Sequence, residues 1–552
     1  MCKIRSLLIS ILLSAPVALT AQTRIAVLTD THVMAPSLLV SDGTAWQTYL
    51  ASERKLVDYS QQLFDLMTDR IRNDIRPDLL LITGDLSKDG EVASHEYVIA
   101  KLDNLRSAGI PTLVIPGNHD LGTSNAKVYD GESATNAETA TASSFASMYS
   151  NYGYGASSER DPNSLSYVTE PAAGLVVIGI DSGKNGVVPS STLSWVCAKA
   201  SLARETGKQV IAMMHHPLIP HFSGVESFVS TAVVSDYETV RNALADAGVR
   251  MILTGHFHTS DIAKDFNADL SKSIIDINTG SLISYPCDYR VLTLSADRES
   301  LSVTTGSITE ITPGDGFSDI AKARLTDAVK KQVQSRGAAY SVVAPTVATA
   351  FVCHAEGDEH NNPTAASTLS SLLSMANMAK IMGMATAEVT QMENMGRSML
   401  QDLSQYGVAG RENQTGDRSL AIPLDGINVS VTMPACGYMS FCSDKRIDFS
   451  KTAGVTANIV TTLNATSVTM EKVNIVPAGT GVILQGTPGT AYSLKATAST
   501  PDVFSQLLHG VLSPLAAPSG AYVLSEKNGV TGFYPVMPGI EIPAGKAYLT
   551  NH

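Results

Sequence analysis

From Arg24 onward the chain repeats one pattern: a short apolar run, a polar loop, then apolar residues at helical spacing. The apolar runs at 25–28, 79–82, 112–115, 175–180, 210–214 and 251–253 read as buried strands. Residues 53–74, with Leu56, Leu63, Phe64, Met67 and Ile71 on one face, and residues 92–107 read as helices between them. Residues 274–277, 291–294 and 301–304 look like further strands with no helix between. Strands alternating with helices, then strands alone, predict an α/β core of two sheets, a sandwich rather than one doubly wound sheet.

Past residue 310 the pattern changes. Residues 320–334 and 365–406, rich in Ala, Met, Leu and Ser, predict a helical segment over 311–420. Between them lies His354-Ala-Glu-Gly-Asp-Glu-His360, a polar cluster with metal-binding residue types. Its Gly and Asn-Asn-Pro neighbours favour an exposed inter-helix loop instead. Residues 421–552 carry short β-branched runs punctuated by Gly and Pro, the pattern of an all-β, sandwich-like domain. Within the core, residues 121–166 form a long insertion with Phe145, Tyr149, Tyr152 and Tyr154 close together. A substrate-shaping loop and a mobile surface excursion are both open readings of it.

Composition narrows the class. A chain of 552 residues exceeds what one hydrophobic core holds, so 22–310, 311–420 and 421–552 are expected as separate units. A formal net charge of -13 argues against bulk nucleic acid as a partner, because such binding rests on many Lys and Arg contacts to phosphate. It leaves room for a small phosphorylated substrate, since bound cations can dominate a local field. Lys3 and Arg5 precede an apolar run at 7–13 and small residues up to Ala21, the layout of a signal peptide over 1–21. An exported protein, periplasmic, cell-surface or secreted and without a transmembrane segment, is the expectation. The remaining cysteines, Cys197, Cys287, Cys353, Cys436 and Cys442, are scattered and odd in number, which is no disulfide framework.

The chemistry gathers at the strand ends. The first strand delivers Asp30 and His32, the second Asp85, and the third Asn118, His119 and Asp120. Later strands deliver His215-His216 and His256-Phe257-His258. In open α/β sheets, ligands bind beyond the carboxyl ends of the strands. Imidazoles mixed with carboxylate and amide oxygens suit divalent Zn, Mn, Fe or Co better than Mg or Ca. Without thiolates, a structural zinc knot is disfavoured. Asp30, His32, Asp85, Asn118, His215, His256 and His258 are too many for one tetrahedral ion and suit two ions sharing a bridge.

Asp30-x-His32, Gly84-Asp85, Gly117-Asn118-His119-Asp120, His215 and Gly255-His256-x-His258 together resemble the calcineurin-like metallophosphoesterase superfamily over about residues 24–310. The resemblance implies that Asp30, His32 and His258 hold one metal and that Asn118, His215 and His256 hold the other. Asp85 would bridge them, and His216 would compete with His215. A bridging hydroxide would then attack a phosphoryl group clamped by two cations. His119, beside the site and not counted as a ligand, would protonate the leaving alkoxide, with Asp120 a candidate to orient it. Tyr285 and Arg290 follow the last ligand motif and are candidates for binding substrate. For Arg290, the solvated end of a strand is the competing reading.

The leading expectation is thus an exported dinuclear-metal phosphoesterase acting on a small phosphomonoester or phosphodiester, with cyclic-nucleotide phosphodiesterase as a more specific form. Residues 475–486, 532–535 and 542–549 also resemble a β-sandwich module of secreted bacterial surface proteins. That implies a placement role, such as cell-surface or glycan contact. The rival from another class is a non-catalytic surface or carbohydrate-binding protein with a vestigial metal site.

Overall fold

A computed structural model describes residues 22–227, 231–295, 300–381, 386–403, 416–423, 428–464, 467–497, 501–502 and 504–550. The predicted signal peptide, 1–21, lies outside the described residues. Two sheets form the first part. The strands of the first sheet are β1 (Thr23–Leu28), β2 (Leu79–Ile82) and β3 (Thr112–Val114). The second sheet is built on β4 (Tyr167–Ala172), β5 (Leu175–Ile180), β6 (Gln209–Met214), β7 (Met251–Thr254), β8 (Asp261–Phe266) and β9 (Ser273–Asn278). The chain then returns to the first sheet with β10 (Asp288–Leu294), β11 (Ser300–Ser307) and β12 (Ser419–Pro423).

The first sheet runs β12-β11-β10-β1-β2-β3 and the second β8-β9-β7-β6-β5-β4, extended by the two-residue edge Glu159–Arg160. Strands β1, β2 and β3 pair in parallel, as do β5, β6, β7 and β9. Their carboxyl ends therefore open on one side of each sheet. Strand alternation sorts the side chains of the second sheet into two cores. Val177, Ile211, Met213, Leu253 and Ile277 join Ile25, Val27, Leu81 and Val114 in the core shared by the two sheets. Val176, Ile178, Val210, Ala212 and Ile252 pack on the other face, against Val196, Ala200, Val240 and Leu244 of the helices Ser190–Glu205 and Tyr237–Asp246. Each fully buried aliphatic side chain contributes roughly 1.5–3 kcal/mol, so both faces hold the strand ends firmly. The expected two-sheet α/β architecture is present.

In the insertion, the strand Ser133–Asn136 is exposed while the aromatic cluster is not. Its aromatics are interior: Phe145 and Tyr149 are fully buried, and Tyr152 and Tyr154 nearly so. Tyr149 Oη lies 2.9 Å from His95 Nδ1, and His95 Nε2 lies 2.9 Å from the Asp120 carbonyl oxygen. The rings thus support the Asn118–Asp120 loop from behind.

The helices Phe317–Gln334, Pro363–Ile381 and Thr386–Leu400 fall in the stretches read as helical, and a further helix, Ala344–Glu356, lies between them. Leu369, Met399 and Leu400 pack with Phe222, Val225 and Phe257, so these helices rest on the loops behind the strand ends. The 354–360 stretch departs from the sequence reading: His354 and Glu359 are only 1% and 2% exposed. It is turned against the core, not into solvent. The C-terminal region consists of small antiparallel sheets, two of which share a core of Val431, Phe441, Ile447, Val482, Leu484 and Leu494. Among the described residues all five cysteines are unpaired, and no helix is long and apolar enough to cross a membrane.

Candidate metal centre

The loops after β1, β2, β3, β6 and β7 meet at one place, and backbone bonds fix how they meet. Asp30 N donates to the Gly84 carbonyl at 3.0 Å, His32 N to the Asp85 carbonyl at 2.9 Å, and Gly255 N to the His215 carbonyl at 2.9 Å. Asp30, His32, Asp85, His256 and His258 all adopt positive φ, between 38° and 68°. Such conformations cost of order 1–3 kcal/mol each for non-glycine residues and cluster at functional sites. The glycines of the motifs are steric necessities. A Cβ on Gly117 would lie 2.2 Å from Asp85 Oδ1, and one on Gly255 would lie 2.0 Å from Thr29 Oγ1.

All seven expected ligands converge. On one side, His258 Nε2 lies 3.2 Å from Asp30 Oδ1 and 3.3 Å from His32 Nε2. On the other, Asn118 Oδ1 lies 3.0 Å from His215 Nε2 and 2.8 Å from His256 Nδ1. Asp85 Oδ2 sits between the two groups, 3.5 Å from His32 Nε2 and 3.3 Å from His215 Nε2. That is the position a bridging carboxylate must occupy. His215, not His216, faces this cluster; His216 Nδ1 is instead 2.8 Å from Ser182 Oγ.

The outer contacts leave the inner atoms for a cation. His215 Nδ1 donates to the Thr83 carbonyl at 2.8 Å, which fixes the tautomer with its lone pair on Nε2. His258 Nδ1 meets Ser284 Oγ at 2.9 Å to the same effect. Asp30 Oδ2 accepts from Thr29 Oγ1 and His256 N, while Asp30 Oδ1 is buried without a hydrogen-bond partner. An orphaned carboxylate oxygen facing two imidazole nitrogens fits a divalent ion. The donor set of mixed N and O atoms fits two of them.

The electrostatics agree. Burial alone would raise the Asp30 carboxyl, yet the His258 and His215 imidazoles hold it well below the usual range. Asp85 is likewise driven up by burial but held low by His215, His119 and His32. Burial lowers His215, but Asp85 and Asp30 outweigh it and push it up to about 9. A metal ion would replace that proton, since ligation requires a neutral imidazole.

His119 stands apart from the ligands. Its side chain is 28% exposed, whereas Asp30, His32 and His215 are fully buried. Its Nδ1 lies 2.7 Å from Asp89 Oδ1, and its ring meets the edge of His32 at 4.9 Å. Burial lowers its pKa, but Asp85 and Asp89 raise it above the ordinary histidine value. Asp89 also pairs with the buried Lys88. Sequence reasoning missed Asp89, because Asp89-Gly90 reads as an ordinary turn. Its only signal was a position within the loop that begins at Asp85.

Asp120 does not orient His119. Its carboxylate accepts from Leu86 N, Ser87 N, Ser87 Oγ and Gly117 N, so it braces two loops against each other. Arg290 is also corrected. It is fully buried, and its guanidinium donates to the carbonyls of Asn278, Asp261 and Asp417 and to Thr305 Oγ1. No donor is directed at the centre. Tyr285 donates its hydroxyl to Glu356 Oε1 at 2.7 Å, which ties the core to the helical segment.

Five strand-end loops that deliver two triads of N and O donors around a shared carboxylate define a dinuclear-metal hydrolase type of centre. Residues 23–260 match the calcineurin-like phosphoesterase family model and form a calcineurin-like metallophosphoesterase domain. A probable cyclic nucleotide phosphodiesterase of Rhodococcus erythropolis is 26% identical over 242 residues, 43% of this chain and 65% of that protein. A cAMP/cGMP dual specificity phosphodiesterase of Mycobacterium tuberculosis is 24% identical over 219 residues, 38% of this chain and 59% of that protein. The chain thus spans less than two thirds of the length of either relative. Among solved structures, a dimetal phosphatase from Danio rerio aligns over 52% of this chain and 96% of its own, at 14% identity and a TM-score of 0.37.

Proposed function

We propose that this chain is a metal-dependent phosphoric ester hydrolase acting on small phosphodiesters, cyclic nucleotides among them. The observation that carries this reading is the place of Asp85 Oδ2 between the two donor groups, beside a His119 whose Nδ1 is taken by Asp89 and which we assign to proton transfer although it lies within ligand reach of His32 and Asp85. A pair of divalent ions bound there supplies Lewis acidity and a nucleophilic water at neutral pH. The residues of the chain do the rest. Asp30, His32 and His258 would hold one ion, Asn118, His215 and His256 the other, and Asp85 would serve both. Asp89 fixes His119 through Nδ1, so the protonated imidazole presents Nε2–H to the departing oxygen. Diesters are favoured over monoesters because the relatives cited above are named as cyclic-nucleotide phosphodiesterases.

The test uses protein stripped of metal and reloaded with Mn or Zn. Hydrolysis of bis-p-nitrophenyl phosphate and cyclic AMP is expected to exceed that of p-nitrophenyl phosphate. If neither nitrophenyl ester is cleaved while metal is demonstrably bound, the enzyme reading fails. Export and a placement role for the C-terminal sheets belong to the same proposal. They rest on the composition of residues 1–21 and on the resemblance of residues 475–486, 532–535 and 542–549 to a β-sandwich module, and cell fractionation tests them.

A further inference from the structure

Outside the catalytic centre, four chain segments bring carboxylates together in the interior. Asp261 opens β8, three residues past His258. Asp402 lies just beyond the helix Thr386–Leu400, Asp417 precedes β12, and Glu359 sits in the turn after the helix Ala344–Glu356. Carboxylate oxygens of Asp261, Asp402 and Asp417 all lie within 4.8 Å of one another. All three residues are buried, at 5%, 7% and 0% exposure.

Burying like charges this closely is unfavourable unless something positive or acidic sits among them. Among the described residues, the surroundings do not supply enough. Arg290 is the adjacent guanidinium, and its donors go to carbonyl oxygens and Thr305, not to these carboxylates. Asp417 Oδ1 accepts from Ile262 N, and Asp417 Oδ2 from Asp358 N at 3.3 Å. Asp402 Oδ2 meets His360 Nδ1 at 2.6 Å. His221 Nδ1 is 3.8 Å from Asp261 Oδ2, but burial and His354 hold His221 well below its ordinary value. Burial likewise pushes His354 down to about 3. These two imidazoles are neutral and add no charge.

Glu359 gives the independent sign of a ligand. Its carboxyl abuts that of Asp417. One oxygen, Oε1, lies 2.6 Å from His354 Nδ1, while Oε2 is buried and, among the described residues, meets no N–H or hydroxyl donor, only the Asp417 carboxyl. Burial and the neighbouring Asp417 and Asp358 push the Asp402 carboxyl up to about 9, so ionising this group calls for a cation beside it.

We propose that Asp261, Asp402, Asp417 and Glu359 bind a hard divalent cation, calcium foremost, at a site separate from the dinuclear centre. The donors are carboxylate oxygens, as calcium prefers, and Ca–O bonds of about 2.3–2.6 Å put ligand oxygens up to about 5 Å apart across the ion. The ion clips the helical segment and the strand β12 to the core directly behind the His256–His258 loop. Its neighbour His221 packs against Phe257 of that loop, with ring centroids 4.5 Å apart and the planes tilted by 53°.

The experiment takes the full chain, strips it of metal, reloads it with Mn and titrates it with calcium. Elemental analysis is expected to find one calcium ion per chain in addition to manganese, and calcium is expected to raise Tm. E359Q and D402N should each lose the calcium and the Tm rise while keeping the manganese and the hydrolysis of bis-p-nitrophenyl phosphate. D85N should do the reverse, keeping calcium and losing manganese. If D402N does not fold, E359Q decides alone. Absence of bound calcium together with an unmoved Tm overturns the site, as does full calcium retention in E359Q. The carboxyls would then be sharing protons.

Discussion

Two groups of buried carboxylates lie on the same side of this core, and they solve the same electrostatic problem differently. Asp30 and Asp85 are surrounded by imidazoles and are held ionised. Asp261, Asp402 and Asp417 are surrounded by one another, and their carboxyls are pushed up. The first group mixes nitrogen and oxygen donors and suits borderline transition ions. The second is almost all oxygen and suits a hard ion. The contrast follows from what each site must do. A catalytic centre needs ions that polarise a phosphoryl oxygen and acidify water. A clip between segments needs only charge neutralisation and many oxygens.

The largest expected effect comes from the residue that makes the first group a pair. Asp85→Asn removes the charge from the oxygen lying between the two donor triads. Elemental analysis of the reloaded protein is expected to show loss of two-metal occupancy, and ester hydrolysis should vanish. Circular dichroism should report an intact fold, because the two-sheet core is packed by side chains other than Asp85. Retention of both metals in this variant would refute the bridging role.

His119 comes next. His119→Asn is expected to lower kcat on cyclic AMP by about 10²–10⁴-fold, the range for a lost general acid. The loss on bis-p-nitrophenyl phosphate should be much smaller, because nitrophenolate leaves readily without a proton. Equal losses on both substrates would remove His119 from the acid role. Asp89→Asn should reproduce the same substrate dependence in weaker form, about 10–100-fold, as outer-shell partners of a working imidazole typically do. Asp120→Asn belongs to a different class. By weakening acceptors for Leu86 N, Ser87 N and Gly117 N, it should cost about 1–3 kcal/mol of stability, with kcat changed less than by Asp89→Asn.

This ordering also shows what the sequence made legible. Each metal ligand follows an apolar run, so strand prediction and residue type together locate it. The two-sheet architecture is readable for the same reason, since alternation and run length report burial directly. Partnerships made across loops are not readable in that way. Asp89 and Asp120 are both carboxylates near His119, and only the folded geometry shows that Asp89 reaches the imidazole while Asp120 braces backbone amides. Arg290 and the 354–360 stretch mislead for a shared reason. Charged residues usually mark the surface, and here they are buried where separate segments of the chain meet. The aromatic insertion, open in the sequence between a substrate-shaping loop and a surface excursion, places its rings in the core.

The smallest expected effect tests where the catalytic group ends and the junction begins. Tyr285 follows Ser284, whose hydroxyl steadies His258, so its position in the chain points to the pocket. Its hydroxyl points elsewhere, to Glu356 Oε1, which Lys322 also contacts at 2.7 Å. Tyr285→Phe removes one hydrogen bond to a charged acceptor in a half-buried setting, worth about 1 kcal/mol. Thermal unfolding should therefore show a slightly lower Tm, while KM for cyclic AMP stays at the wild-type value. A raised KM with unchanged Tm would return Tyr285 to the substrate and move the boundary of the active site outward. Unchanged KM would leave Ser284 as the residue of this stretch that serves the metal centre and Tyr285 as the one that serves the junction with the helical segment.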